Sequence, residues 1–335
     1  MYNTGGGKGS SLSKKVGVNL QQKIGLVLAG GGGKGAYHIG VWKALAEFGV
    51  EQNIGAVAGT SVGALNAALF AQGDYKIAES VWKNINPSQI LSVETTSFIE
   101  NLANLGIASS LTTPLIKTSK KIAKFGAFSR SGLIELINTY ICLSDISNSP
   151  IKCYATCCKI PTLKEKYFSL NMEDQQVILS ILLASSALPF IFEPEKIYGE
   201  HFIDGGVRDN IPISPLYQEG YRNFIVVHLN PAEMIHYDQF SDANIIEIVP
   251  RKSIGKFING TLDFTSDGAN LRIQQGYEDA VHILKPIYQM GTVQQRTNDL
   301  FSNLLQEEMG FIQKRNTLIN HRTKLKSEIE QLIKK

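Results

Sequence analysis

Apolar positions first run together at 24–29, Ile24-Gly25-Leu26-Val27-Leu28-Ala29, a continuous stretch of strand length that predicts a strand covered on both faces. From 36 to 48 they recur at helical spacing, with Ile39, Trp42, Leu45 and Ala46 on one face. Ala56-Val57-Ala58 then reads as a second short buried strand, running into a helix of small residues that reaches Leu69. Strand, loop, helix, strand is a βαβ unit, and it predicts a parallel sheet.

Further along, 76 to about 140 is patterned as helix, with Trp82, Ile85, Ile90, Leu91, Phe98, Leu102 and Leu105 spaced for burial. Residues 106–130 mix apolar side chains with Lys117, Lys120, Lys121, Lys124 and Arg130. That stretch reads as a surface helix with a solvated basic face, or as a mobile cap touching anionic lipid. Two strands at 151–159 and 165–170 are expected to form a hairpin around Pro161, and a helix at 177–188 to stop at Pro189. Strands at 224–229 and 245–249 precede a helix over 262–284 that is expected to end before Pro286.

In the last stretch, 291–335, Leu304, Phe311, Leu318, Leu325 and Leu332 recur every seven residues, beside Leu305, Ile312, Ile319 and Ile333. This is a helix-docking or coiled-coil stripe. Residues 311–335 carry seven Lys/Arg against two Glu, so packing on the main domain, self-association and a membrane surface all fit, the first two better.

With 335 residues, 43% hydrophobic and 19% charged, the chain is globular and long enough for one large domain with an appendage. A net charge of +3 is too small to point to nucleic acid, and none is expected as a partner. No apolar run approaches the ~20 residues of a transmembrane helix. Residues 1–22 are polar and rich in Gly, Ser and Lys, and read as a flexible leader without a secretory signal. Four cysteines are too few for a disulfide scaffold, and alternation would put Cys153 and Cys157 on one strand face and Cys158 on the other. They read as buried thiols, not zinc ligands, and a cytoplasmic location fits best.

The candidate chemistry sits at the end of the second predicted strand. Gly59-Thr60-Ser61-Val62-Gly63 is a G-x-S-x-G. A sharp turn from strand into helix exposes the Ser61 hydroxyl at a helix N-terminus, and Gly59 and Gly63 remove the Cβ atoms that would clash there. The loop after the first strand, Gly30-Gly31-Gly32-Gly33-Lys34-Gly35, matches G-x-G-x-x-G. A dinucleotide site would want an acidic residue at the end of the second strand, where Gly59-Thr60-Ser61 stands, and a phosphate loop would want Ser or Thr after Lys34. What remains is a row of unhindered N–H groups suited to an oxyanion.

Ser61 needs a base. The Ser–Asp–His order of α/β-hydrolases is disfavoured, because only one strand precedes the second predicted one. His38, His201, His228, His236, His282 and His321 all sit where a histidine is usually structural or solvated. Asp204, in Ile203-Asp204-Gly205-Gly206 at a strand end, is the best base left.

The glycine loop, the elbow and Asp204-Gly205-Gly206, in that order, resemble the patatin-like phospholipase family. The likeness continues through Ala184-Ser185-Ser186-Ala187-Leu188-Pro189, Phe192 and Pro194, and Gly276-Tyr277-Glu278-Asp279-Ala280, covering about 23–286. The resemblance implies a three-layer α/β/α fold, with a central mostly parallel sheet flanked by helices. It implies a Ser61–Asp204 dyad, with Ser61 as nucleophile and Asp204 as proton acceptor, and an oxyanion hole in Gly30–Gly35, chiefly Gly31 to Gly33. Lys34 stands where many members have Arg, and either keeps the charge.

The expected division is a leader (1–22), a catalytic domain (23–286) and a helical extension (287–335). The expected activity is a phospholipase A or lysophospholipase working through an acyl-serine on phospholipid or another acyl ester at a membrane surface. No metal or cofactor is expected, and Asp204 is expected to have a raised pKa from a partly apolar pocket. The alternatives are an acyltransferase or general carboxylesterase on the same dyad, or a non-catalytic scaffold. The C-terminal helix is a candidate for homo-oligomerisation.

Overall fold

The computed structural model describes residues 23–85, 90, 129–189 and 191–333. The leader, the basic stretch 106–128 and the predicted apolar positions Leu91, Phe98, Leu102 and Leu105 lie outside the described residues. The structure divides into two compact units, with the boundary between Val281 and His282.

The first unit is built on a mixed eight-stranded sheet. Strands β1 (Ile24–Leu28), β2 (Ile54–Thr60), β3 (Lys152–Ile160), β7 (Asn223–Val227) and β8 (Asn244–Ile248) are mutually parallel in the order β3-β2-β1-β7-β8. Strands β4 (Lys164–Ser169), β5 (Glu195–Ile197) and β6 (Glu200–Asp204) add antiparallel pairs at one side. The expected hairpin is the β3–β4 pair.

Alternation along the strands fills both faces of the sheet. Val27, Ala56, Ala58 and Val226 point to one side, where Ile213, Leu216 and Tyr221 cover them around the short helix α7 (Ser214–Gln218). Leu26 and Leu28 point to the other, against Ile39, Trp42 and Leu45 of α1 (Ala36–Glu47) and Phe70 of α2 (Val62–Gln72). Helices on both faces make the three layers, and burial on both faces explains the unbroken apolar runs in β1 and β2.

The face predicted for α1 needs one correction. Ala46 is exposed, while Val41 and Ala44 are buried. The buried arc faces α2 on one side and, on the other, the start of the last helix, where a Cβ on Gly40 would come within 1.9 Å of the Ile273 carbonyl oxygen. Gly276 returns the close approach, since its Cβ would lie 2.1 Å from the Tyr37 carbonyl oxygen. Tyr37 donates to Asp279 Oδ2 at 2.9 Å, so the Gly276–Ala280 motif is a helix-packing seam with a buried polar bond.

Among the described residues there are four more helices: α3 (Tyr75–Asn84), α4 (Ser131–Tyr140), α5 (Leu143–Ser147) and α6 (Gln175–Ser185). The Asp74 side chain caps α3 by accepting the Ile77 N–H at 3.0 Å.

The last helix departs from the sequence expectation. α8 runs without a break from Ser266 to Ile333, through Pro286. Proline removes one helical hydrogen bond and costs about 3 kcal/mol. The many helix-forming residues on both sides outweigh that loss. Its missing N–H is the one that would have reached the His282 carbonyl, at the boundary between the two units. The described part of the second unit is the stretch of this helix from His282 onward, and Leu304, Phe311, Leu318 and Leu325 of the heptad stripe are exposed on it.

Candidate active site

Strand register brings the serine and the aspartate together. Along one edge of β3 runs β4, pairing with Tyr154 to Lys159. The opposite edge is shared by two strands. Lys152–Thr156 pair with β2, whose last residue, Thr60, lies opposite Thr156. Cys157–Ile160 pair with β6, whose last residue, Asp204, lies opposite Cys157. β2 and β6 run in opposite directions, so their C-terminal ends meet tip to tip. Ser61 leaves one tip and Asp204 forms the other.

At the first tip the chain turns sharply. Ser61 has φ 57° and ψ −125°, a conformation L residues avoid, and α2 begins at the next residue. Both flanking glycines are required by contact. A Cβ on Gly59 would sit 2.1 Å from the Gly63 carbonyl oxygen, and one on Gly63 2.1 Å from that of Leu28. The Ser61 N–H donates to Ser185 Oγ at 3.0 Å, and Ser185 Oγ donates to the Thr156 carbonyl at 2.7 Å. Thr60 Oγ1 donates to the Asp209 carbonyl at 2.9 Å. The elbow is therefore pinned to α6, to β3 and to the segment after Asp204. Ser61 itself is 9% exposed.

At the second tip Asp204 is 3% exposed. Its N–H donates to the Ala187 carbonyl at 2.9 Å, and its Oδ1 accepts the Gly206 N–H at 2.8 Å. Oδ2 is buried, with no hydrogen-bond partner among the described residues. Burial raises the carboxyl pKa to about 6, and interaction with the Ser61 hydroxyl and the Gly206 N–H pulls the other way. Gly205 has no room for a side chain, since its Cβ would lie 2.3 Å from the Thr156 carbonyl oxygen.

The glycine loop lies beside the elbow, where a Cβ on Gly30 would come within 3.3 Å of Ser61 Cβ. Gly32–Gly35 form a single 3₁₀ turn that leads into α1. Two of the candidate N–H donors are already engaged: Gly30 donates to the Asn210 carbonyl and Lys34 to the Gly31 carbonyl, each at 3.3 Å. Gly31, Gly32 and Gly33 precede the first backbone bond of the turn, and their N–H groups have no partner among the described residues. Gly32 has φ +56°. Cβ atoms on Gly32 and Gly33 would lie 2.2 and 2.1 Å from the carbonyl oxygens of Thr261 and Asp263. Gly35 presents its carbonyl to Asn66 Nδ2 at 2.9 Å.

Three side chains outside the sequence prediction hold this loop. Asn66 donates to Gly35 and to His38 Nδ1 and accepts from Trp82 Nε1 at 2.9 Å. The buried Arg272 bonds the carbonyls of Ile254, Asn259 and Asp263 and the Asp263 carboxylate, fixing the segment that walls Gly32 and Gly33. Asn210 grips Gly30. The Lys34 side chain is half-buried, and burial lowers its pKa against the opposing pull of Glu233.

Of the histidines, His38 is buried against Asn66, and burial pushes its pKa down to about 3. His228 is buried, with Nε2 2.7 Å from Glu247 Oε2. Cys153, Cys157 and Cys158 are buried and Cys142 is exposed, all as free thiols. An apolar groove is lined by Val62, the residue after Ser61, and by Leu65, Trp82, Ile85, Leu133, Ile137 and Phe264 among others. No described helix is long and apolar enough to cross a membrane.

Fold and site together define an α/β protein with a serine at a strained strand–helix elbow, a glycine loop beside it and a buried aspartate across from it. The family model of the patatin-like phospholipases matches residues 26–217, more than half of the chain, and the chain belongs to that family. It is 28% identical over 213 residues to lysophospholipase NTE1 of Cryptococcus neoformans var. neoformans serotype D, covering 63% of this chain and 11% of that protein. Lysophospholipase NTE1 of Scheffersomyces stipitis is 25% identical over 226 residues, covering 63% and 12%. The chain thus spans about a tenth of the curated relatives it matches. Among solved structures, VipD from Legionella pneumophila aligns with a TM-score of 0.49 at 17% identity, covering 79% of this chain and 67% of that one.

Proposed function

We propose that the chain is a lipid acyl hydrolase of the phospholipase A or lysophospholipase type, acting through Ser61 and Asp204. The observation that supports the reading is the tip-to-tip meeting of β2 and β6, which brings the chain at Ser61 to that at Asp204, whose buried Oδ2 has no hydrogen-bond partner among the described residues. In the reaction, Ser61 Oγ attacks the ester carbonyl carbon and Asp204 takes its proton. Electrons move onto the carbonyl oxygen, where the N–H groups of Gly31, Gly32 and Gly33 receive the negative charge, each donor worth about 3–4 kcal/mol. The tetrahedral species collapses to acyl-Ser61, and the alcohol leaves with the proton returned from Asp204. Water then repeats the sequence in reverse and frees the fatty acid.

Family membership and the lysophospholipase name of the relatives support a lipid ester as the bond cleaved. The apolar groove that Val62 helps to line suits the acyl chain. The substrate would be met at a membrane surface, with the enzyme visiting peripherally from the cytoplasm. The exposed heptad stripe of α8 suits self-association. The test is calcium-free fatty-acid release from phospholipid and lysophospholipid dispersions. Wild type should release acid and folded Ser61→Ala should not; equal release by both would refute the reading.

A further inference from the structure

Asn210 holds Gly30 by both of its backbone groups. The Gly30 N–H donates to the Asn210 carbonyl at 3.3 Å, and the Gly30 carbonyl accepts from Asn210 Nδ2, also at 3.3 Å. Nδ2 also donates to Glu233 Oε2 at 2.8 Å. A carboxylate only accepts, so this contact fixes which way the amide faces. Oδ1 is thereby turned into the gap between the glycine loop and the turn after Asp204. A Cβ on Gly30 would lie 2.3 Å from it, and one on Gly206 3.0 Å. Asn210 therefore stands as a wedge between the two motifs.

The consequence follows from peptide geometry. The Gly30 carbonyl and the Gly31 N–H belong to one planar, trans peptide group and point in opposite directions. Whatever holds the carbonyl also aims the N–H. A peptide between two glycines has little steric preference of its own. We infer that Asn210 is a positioning residue for ester cleavage. By bonding the Gly30 carbonyl it fixes the plane of the 30–31 peptide and aims the Gly31 N–H at the forming oxyanion. The inference rests on the proposed roles of Ser61 and the glycine loop.

The test compares wild type with Asn210→Ala and with the isosteric Asn210→Asp, which keeps shape but cannot donate. Both variants should melt cooperatively and exchange the amide hydrogens of Gly30 and Lys34, the bonded ones of the loop, faster than wild type. In fatty-acid release both should lose kcat on the order of 10²-fold, as for a misaimed donor, with KM changed by less than about threefold. Full kcat in Asn210→Asp would overturn the inference, because shape alone would then suffice. Unchanged amide exchange in both variants would overturn it too. Should the alanine variant lose its fold, the aspartate variant decides. If wild type releases no fatty acid and Ser61 takes no fluorophosphonate, the functional reading falls. The exchange rates then still decide whether Asn210 holds the loop.

Discussion

Thr60 and Asp204 pair with neighbouring residues of one strand, Thr156 and Cys157, so the two strands that end in them point at each other. Both halves of the candidate site thus depend on the middle of β3. Gly205 packs directly on that point, with room for no Cβ beside the Thr156 carbonyl. Gly205→Ala should therefore displace Asp204 from Ser61. We expect a stability loss of about 1–3 kcal/mol from overpacking and a larger proportional loss of turnover, read from thermal melts and fatty-acid release on the same preparation.

The raised pKa of Asp204 has opposite consequences for activity and stability. A base must be ionised, so turnover should rise as pH passes through about 6. Stability goes the other way. Between the ordinary value of 3.8 and about 6, the folded chain holds a proton that the unfolded chain has lost. The stabilisation is therefore complete below 3.8 and disappears as pH rises to about 6. Asp204→Asn removes the cost of a buried charge, on the order of 3 kcal/mol for a carboxyl raised from 3.8 to about 6. It should melt higher than wild type at pH 7.5 and show no advantage at pH 4. A variant less stable than wild type at pH 7.5 would mean that the carboxylate is not paying this desolvation cost.

Ser185 accepts from the Ser61 N–H and donates to Thr156. Ser185→Ala leaves both groups buried and unpaired, at a cost of about 1–3 kcal/mol. The strained φ of Ser61 would lose its nearest support, so turnover should fall while the melt stays cooperative. Ser185→Thr retains the hydroxyl and should retain more turnover than the alanine variant.

Thiol reactivity checks the core independently of any activity. Burial pushes Cys158 up to about 11 and raises Cys153 and Cys157 as well, whereas Cys142 is exposed. A thiol reagent should modify Cys142 alone in the native protein, and all four cysteines after denaturation. Rapid native modification of Cys157, the partner of Asp204 in the sheet, would contradict the described packing.

The βαβ start of the chain was legible because burial on both faces leaves unbroken apolar runs, and only glycine fits the contacts at 59 and 63. The three motifs that carried the resemblance are short, local and in chain order. Pro286 misled, because a proline signals a break only when too little helix lies on either side to carry it. The meeting of β2 with β6 was not legible, since no local pattern records which edge of β3 each strand takes. Ser185, Asn210 and Arg272 were hidden for a similar reason. Each acts through a long-range bond to a backbone group, and such a bond leaves no periodicity. The late Gly276–Ala280 motif could have been read further. Two glycines in facing helices, Gly40 and Gly276, are the sign of a close crossing.

The central claim is that Ser61 is activated by Asp204 and not by a histidine. The most direct measurement is the rate at which a fluorophosphonate modifies Ser61, located by peptide mass, in wild type, Asp204→Asn and the double variant His38→Gln with His228→Gln. Wild type should be modified at Ser61, faster above pH 6 than below it. Asp204→Asn should be slower by roughly 10²–10⁴-fold, the usual contribution of a general base. The folded histidine double variant should react within about threefold of wild type, with no base removed. Undiminished modification of Asp204→Asn, with a large loss in the histidine variant, would contradict the account.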